Sequence, residues 1–386
     1  MATDLKKLTE LAQVFSKLGI LGFGGPAVHI AMMEEEVVTR RQWLTRSQFL
    51  DLLGATNLIP GPNSTEMAIH VGYSYGGWLG LGVAGTCFIL PAVVVTTGFA
   101  WLYLTWGTLP AFTPILAGIK PGILAVILAA LWRLGKKAFK DRQLCWIALL
   151  VVILVFMGTP EAIALFGGGI LGMIWSIYQQ GKNPSQGTFS ILLLALSTTS
   201  KTAIISPTLL KLGLFFLKVG SILFGSGYVL FAFLEGDLVN QYGWLTSQQL
   251  LDAIAVGQFT PGPILSTAAF IGYLILGIPG AIVATLGIFL PSFFFVIISH
   301  PFIAKIRQSK WTSAFLDAVN ASSVALIAVV TWKLAQASLF PVNGGLLGNF
   351  SAFFIAISAS IAVFRYRVNN VWIVLGSGTL GWLFYQ

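Results

Sequence analysis

Apolar residues run along this chain in long stretches, interrupted by glycine, proline and short charged clusters. Stretches at 11–33, 79–104, 114–134, 144–159 and 161–178 read as apolar helices, and so do 209–233, 279–299, 314–337, 350–364 and 370–385. Those of about 20 residues match a hydrocarbon core roughly 30 Å thick. Between the first and second stretch of each half lies a segment broken by Pro-Gly-Pro, at Pro60-Gly61-Pro62 and Pro261-Gly262-Pro263. Arm 49–59 has 11 residues, about 16 Å as a helix, or half of that thickness. Arm 64–75 is similar. Each broken segment therefore reads either as a re-entrant hairpin turning near the midplane or as one long broken crossing.

The pattern repeats. Trp43-Leu44-Thr45, Gln48, Asp51 and Pro60-Gly61-Pro62 recur 201 residues later as Trp244-Leu245-Thr246, Gln249, Asp252 and Pro261-Gly262-Pro263. The same offset carries Phe15, Lys17, Gly19, Phe23 and Gly24 onto Phe216, Lys218, Gly220, Phe224 and Gly225. An offset of 200 then pairs Gly72-Tyr73 with Gly272-Tyr273, Leu90-Pro91 with Leu290-Pro291, and Trp132 with Trp332. Two homologous halves follow, 1–180 and 209–386, joined by a polar linker at 181–208 whose apolar run 191–196 is too short to cross a bilayer. Internal repeats of this kind are expected of transporters.

Composition narrows the class. Hydrophobic residues make up 56% of the 386 and charged ones only 9%, against about 25% charge in a soluble domain. This is an all-α polytopic membrane protein embedded in a lipid bilayer. The net charge of +9 does not indicate nucleic acid, because the lysines and arginines are scattered between apolar runs and form no continuous basic face. They bear instead on topology. If each Pro-Gly-Pro segment is a re-entrant hairpin, the loops at 34–47, 135–143, 300–313 and 365–369, all basic, share one side. The loops at 105–113, 235–247 and 338–349, without lysine or arginine, share the other. The positive-inside rule thus favours hairpins, five crossings per half, and a second half inverted relative to the first. It also places the linker in the cytoplasm and both termini outside it.

The candidate chemistry lies at breaks and buried charges. Gly24-Gly25-Pro26 matches Gly225-Ser226-Gly227, and the two Pro-Gly-Pro turns match each other. Broken backbone at membrane depth is tolerated only beside protein or a water-filled cavity. Asn63, Ser64 and Thr65 after one turn, and Ser266 and Thr267 after the other, are capping residue types at half-helix starts, where N–H groups and the helix dipole suit an anion. Lys17 and Lys218, at equivalent positions in apolar stretches, would together neutralise a dianion or else snorkel to an interface. Lys120, opposite Asn320 in the repeat, is a third such cation. Glu66, His29 and His70 are proton-relay candidates without ionisable counterparts in the second half. Asp51 and Asp252, early on the entering arms, read as water-facing or as loop caps, and His300 as structural. Cys87 and Cys145 lie in different stretches, and no HExxH, Cys cluster or cofactor motif appears, so no metal, cofactor or enzymatic chemistry is expected.

At these residues the sequence resembles the chromate ion transporter family in its two-repeat form. The resemblance rests on Phe15-x-Lys17-x-Gly19 leading into Phe23-Gly24-Gly25-Pro26-Ala27-x-His29, and on the Trp-Leu-Thr of each half. Both Pro-Gly-Pro turns followed by Gly-Tyr, Phe270 before Gly272-Tyr273, and Leu290-Pro291 complete it. It implies export of chromate, a tetrahedral dianion shaped like sulfate, across the plasma membrane, driven by protons. Asn57 and Glu66 stand where the family pattern has glutamine, and Ser226 interrupts a run of glycines. Charge and shape barely separate chromate from sulfate, so a sulfate or other oxyanion carrier, or an anion channel, remains the alternative. The oligomeric state, a homodimer included, is left open.

Overall fold

The computed structural model describes residues 2–107, 109, 112–179, 206–300, 310–340 and 345–385. Every regular element among them is helical. The first half holds α1 (Ala2–Leu21), α2 (Pro26–Glu34, continued by a wider turn through Arg40), α3 (Arg46–Thr56), α4 (Asn63–Trp106), α5 (Thr113–Ala138), α6 (Arg142–Phe156) and α7 (Glu161–Gln179). The second half repeats the order with α8 (Leu209–Ile222), α9 (Leu230–Phe233, continued through Gln241), α10 (Ser247–Phe259), α11 (Thr267–Ser299), α12 (Lys310–Leu339), α13 (Gly345–Tyr366) and α14 (Asn370–Phe384). The linker at 181–208 falls almost wholly outside the described residues. Among the described residues, five helices are long and apolar enough to cross a membrane, namely Asn63–Trp106, Thr113–Ala138, Ile264–Ser299, Trp311–Leu339 and Gly348–Tyr366.

Local sequence explains the recurring motifs. In each Trp-Leu-Thr-x-x-Gln the threonine is a helix N-cap. Thr45 accepts from the Gln48 backbone N–H while the Gln48 side chain accepts from the Thr45 N–H, and Thr246 with Gln249 does the same. Such capping boxes satisfy two orphan donors each and fix where α3 and α10 begin. The long α4 is two helices. At Gly77 (φ 61°, ψ −149°) the chain reverses, as it does at Gly277 (φ 64°, ψ −153°) in α11. Only glycine takes that conformation at little cost. The two arms of each then pack so closely that Gly72 meets the Gly80 backbone and Gly272 meets that of Gly280.

The stretches 11–33 and 209–233 are not single spans. The chain breaks at Phe23–Gly25 and at Leu223–Ser226, and folds back. Lys17 and Glu36 form an ion pair at 2.7 Å, as do Lys218 and Asp237. Nineteen residues of continuous helix would hold either pair about 28 Å apart. Leu11, Val14, Phe15 and Leu18 of α1 share a buried cluster with Met33, Val37 and Phe49. The fold-back also moves the N-terminus. Lys7 sits over Tyr75, Tyr75 bonds to Glu10 and stacks on Trp43, and Arg41 lies over Trp43. The N-terminal residues therefore stand at the same end of the bundle as the 34–47 loop, where the sequence placed them on opposite sides. α14 starts near Gln258 and runs antiparallel to α5, with Gly122 by Ser377 and Gly118 by Gly381. It carries the C-terminus to the other end.

The repeats pack through equivalent helices running in opposite directions. Gly85 lies against Phe293, the far end of arm 78–106 brings Tyr103 to Phe270, and the far end of arm 278–299 brings His300 to His70 and Tyr73. On the outside, Ile282, Leu286, Leu290, Phe294 and Ile298 stand exposed in four-residue steps along α11. Such a stripe is an apolar face left open by the described residues, suited to lipid.

Candidate functional site at the repeat interface

The four backbone breaks meet crosswise. The Gly61 N–H, in the first Pro-Gly-Pro, donates to the Leu223 carbonyl at the break after α8 (2.7 Å), and the Gly262 N–H donates to the Gly22 carbonyl at the break after α1 (2.9 Å). Both bonds are between repeats and obey the same 201-residue offset. Each helix tip is thus held by the broken hairpin of the other half. Each also begins without a side-chain cap: Pro62 and Pro263 occupy the N-cap positions. Here the structure corrects the capping expectation. Asn63 bonds to Asn57 (2.8 Å), Ser64 and Thr65 are buried, Ser266 makes no cap, and the Thr267 hydroxyl turns back to the Ile264 carbonyl (2.7 Å). The first-turn N–H groups keep the partial positive charge of a helix start.

A small polar cavity of about 30 Å³ lies between the breaks, lined by Gly24, Gly25, Pro26, Ser226, Gly227 and Tyr228 from the two folded-back hairpins. Gly257, Gln258, Thr260, Gly262, Ile264 and Asn370 close it from the second Pro-Gly-Pro side. Gly25 holds φ 84°, which lets the backbone turn into α2 without a side chain entering the cavity. Gly225, outside this lining, faces Asn320 and Ser323.

The lysines are placed differently from the sequence expectation. Lys17 and Lys218 are not brought together. Each ammonium is taken by a carboxylate of its own repeat, Glu36 or Asp237. The Lys17 ammonium holds the Glu36 carboxyl below the usual carboxylate range. The acids sit one offset apart, so the repeated Lys–acid pairing was available in the sequence; the missing signal was the fold-back that joins them. Lys120 stands 3.5 Å from Asp252, which also accepts from the Tyr103 hydroxyl at 2.8 Å. Asp252 is 3% exposed, so the expectation of a water-facing carboxylate fails for it, although Asp51 is exposed.

Among the proton candidates, Glu66 is fully buried beside Gly61, and neither carboxylate oxygen has a hydrogen-bond partner among the described residues. A methyl on Gly61 would collide with that carboxylate and with Ser292 Oγ, which is likewise buried and without a partner among the described residues. His29 caps the first break, its Nε2 at 2.8 Å from the Gly22 carbonyl and its ring edge-on to Phe88. His70 and His300, which look unrelated in sequence, meet with Nδ1 atoms 3.1 Å apart, joining the repeats at one end of the interface. No group of three or more potential metal ligands occurs among the described residues.

The architecture defines an all-helical, two-repeat membrane protein whose broken helices converge where the repeats meet. The family model described as "Chromate transporter" matches residues 9–173 and 210–382, one match per repeat. The chain belongs to the chromate transporter family. It is 30% identical over 384 residues to a protein named "Chromate transport protein" from Cupriavidus metallidurans, covering 98% of this chain and 93% of that one. A second "Chromate transport protein", from Pseudomonas aeruginosa, is 31% identical over 394 residues, covering 97% and 92%. No solved structure is significantly similar.

Proposed function

We propose that this chain is a secondary active transporter that exports chromate across the plasma membrane, driven by the proton-motive force, by alternating access between two inverted repeats. The observation that carries the reading is the crossed pair of bonds, Gly61 to Leu223 and Gly262 to Gly22. Two equivalent contacts of this kind can lengthen alternately, opening the cavity first to one face and then to the other. Antiparallel packing of the equivalent arms 78–106 and 278–299 supports inversion, because a pseudo-twofold axis across those helices lies in the membrane plane. The uncapped helix starts supply donors for an anion. Glu66, buried with no counter-charge among the described residues, is the proposed proton carrier.

The end carrying Lys7, Arg41, Arg46, Lys140, Arg365 and Arg367 is assigned to the cytoplasm by the positive-inside rule. The N-terminus then faces the cytoplasm and the C-terminus the other side, in place of two external termini. In this arrangement each half enters through two hairpins that return to their own side and then crosses four times in place of five, so inversion requires the two halves to be entered from opposite faces rather than both from the cytoplasm. Everted membrane vesicles containing the protein test the proposal. Saturable chromate uptake that collapses with a protonophore is expected. Sulfate uptake in its place would keep the mechanism and change the cargo, whereas non-saturable flux would indicate a channel.

A further inference from the structure

The two Pro-Gly-Pro tips share a backbone but not a side-chain chemistry. At the first tip stand Glu66 and Ser292, buried beside Gly61 with oxygens that find no partner among the described residues. At the second tip, Thr267 occupies the position equivalent to Glu66, and its hydroxyl is engaged by Ile264. The polar group there is Gln258. Its Oε1 accepts from the Tyr228 hydroxyl at 3.2 Å and from Asn370 Nδ2 at 2.8 Å. Two donors on the carbonyl oxygen fix the amide's orientation. Its Nε2 is buried and finds no acceptor among the described residues, although Gln258 lines the cavity with Gly24, Gly25, Ser226 and Gly262.

We infer that the oxyanion binds at the second tip, with Gln258 Nε2 as a direct donor oriented by Tyr228 and Asn370, while the first tip serves the proton. The inference rests on the transporter reading above and adds a division of labour between the repeats. A buried amide N–H lacking an acceptor costs about 1–3 kcal/mol, and a tetrahedral dianion offers only acceptors. An oxyanion that retains a proton also needs an acceptor, and the carbonyl of Gln258 is already occupied by two donors. Gln258 itself therefore favours fully ionised oxyanions such as chromate and sulfate over hydrogen phosphate. An ionised Glu66 repels an anion from the first tip. The cavity holds about two waters, so an oxyanion enters only as the repeats separate, which ties binding to the conformational step.

Equilibrium binding of radiolabelled chromate to the full-length protein in lipid nanodiscs, with sulfate and phosphate as competitors, tests this. Gln258→Ala is expected to weaken chromate binding on the order of 10-fold or more. Gln258→Glu, nearly isosteric, places a carboxylate against the dianion and should remove measurable binding. Asn370→Ala releases one constraint on the amide and should give a smaller loss, and Glu66→Gln should weaken binding less than Gln258→Ala. Monodisperse elution separates lost binding from lost folding, and Asn370→Ala serves if the Gln258 variants misfold. Wild-type affinity in both Gln258 variants, or in Asn370→Ala where those misfold, would overturn the assignment, as would displacement of chromate by phosphate as readily as by sulfate. Wild-type protein that binds neither chromate nor sulfate overturns the transporter reading with it.

Discussion

Replacing Asp252 by asparagine probes how the two repeats are fastened. The carboxylate is 3% exposed, 2.8 Å from the Tyr103 hydroxyl and 3.5 Å from the Lys120 ammonium, whose side chain is 18% exposed. Asparagine keeps the shape and an acceptor for Tyr103, so the loss is the charge that balances Lys120. Breaking a buried pair by removing one partner costs about 3–5 kcal/mol. The residual exposure of Lys120 and the long contact place this case at the low end, about 3 kcal/mol. Lys120→Met strands Asp252 instead and should cost a similar amount. The double variant removes both charges and should be far less destabilised than the sum, with a coupling of about 2–3 kcal/mol. Reversible unfolding in mixed micelles with graded SDS measures all four proteins. Single costs that add to within about 0.5 kcal/mol would show that Lys120 and Asp252 do not depend on each other.

Other consequences follow from the same contacts. Gly77→Ala and Gly277→Ala each force an L-residue into a conformation near the glycine-only region; each should cost about 1–3 kcal/mol in the same unfolding assay, and no loss would remove the reversal as a glycine-dependent feature. Glu36 has a carboxyl held low by Lys17, so its contribution to the α1–α2 fold-back is complete above the unfolded glutamate value of about 4.3. That contribution fades as pH falls through the lower folded value, and Glu36→Gln should flatten this acid limb of the stability curve. For topology, cysteines placed at Asn369 and near the N-terminus should be labelled from the cytoplasm and one at Gln241 from outside; labelling of all three from one side contradicts the placement.

Much of this arrangement was legible in the sequence because repeated motifs mark repeated geometry. The 201-residue register located both Pro-Gly-Pro tips, and the arms at 49–59 and 64–75 correspond closely to α3 and the first arm of α4. The hydrophobic run 11–33 misled, because a fold-back inside an apolar environment leaves no polar gap; its only trace is Gly24-Gly25-Pro26. Once that turn is placed, Lys17 finds Glu36. The His70–His300 and Tyr103–Asp252 contacts join non-equivalent positions across the repeats, so neither periodicity nor the internal repeat could reveal them. Gln258 was passed over although it lies one 201-residue offset from Asn57; its significance lies in Tyr228 and Asn370, 30 and 112 residues away.

The central claim is that chromate is moved uphill at the expense of a proton gradient. Purified protein in proteoliposomes, with a pH gradient imposed and chromate equal on both sides, tests it directly. The account predicts accumulation on the acidic side, abolished by a protonophore and by Glu66→Gln. Flux that only equalises chromate, or accumulation indifferent to the gradient, would contradict it.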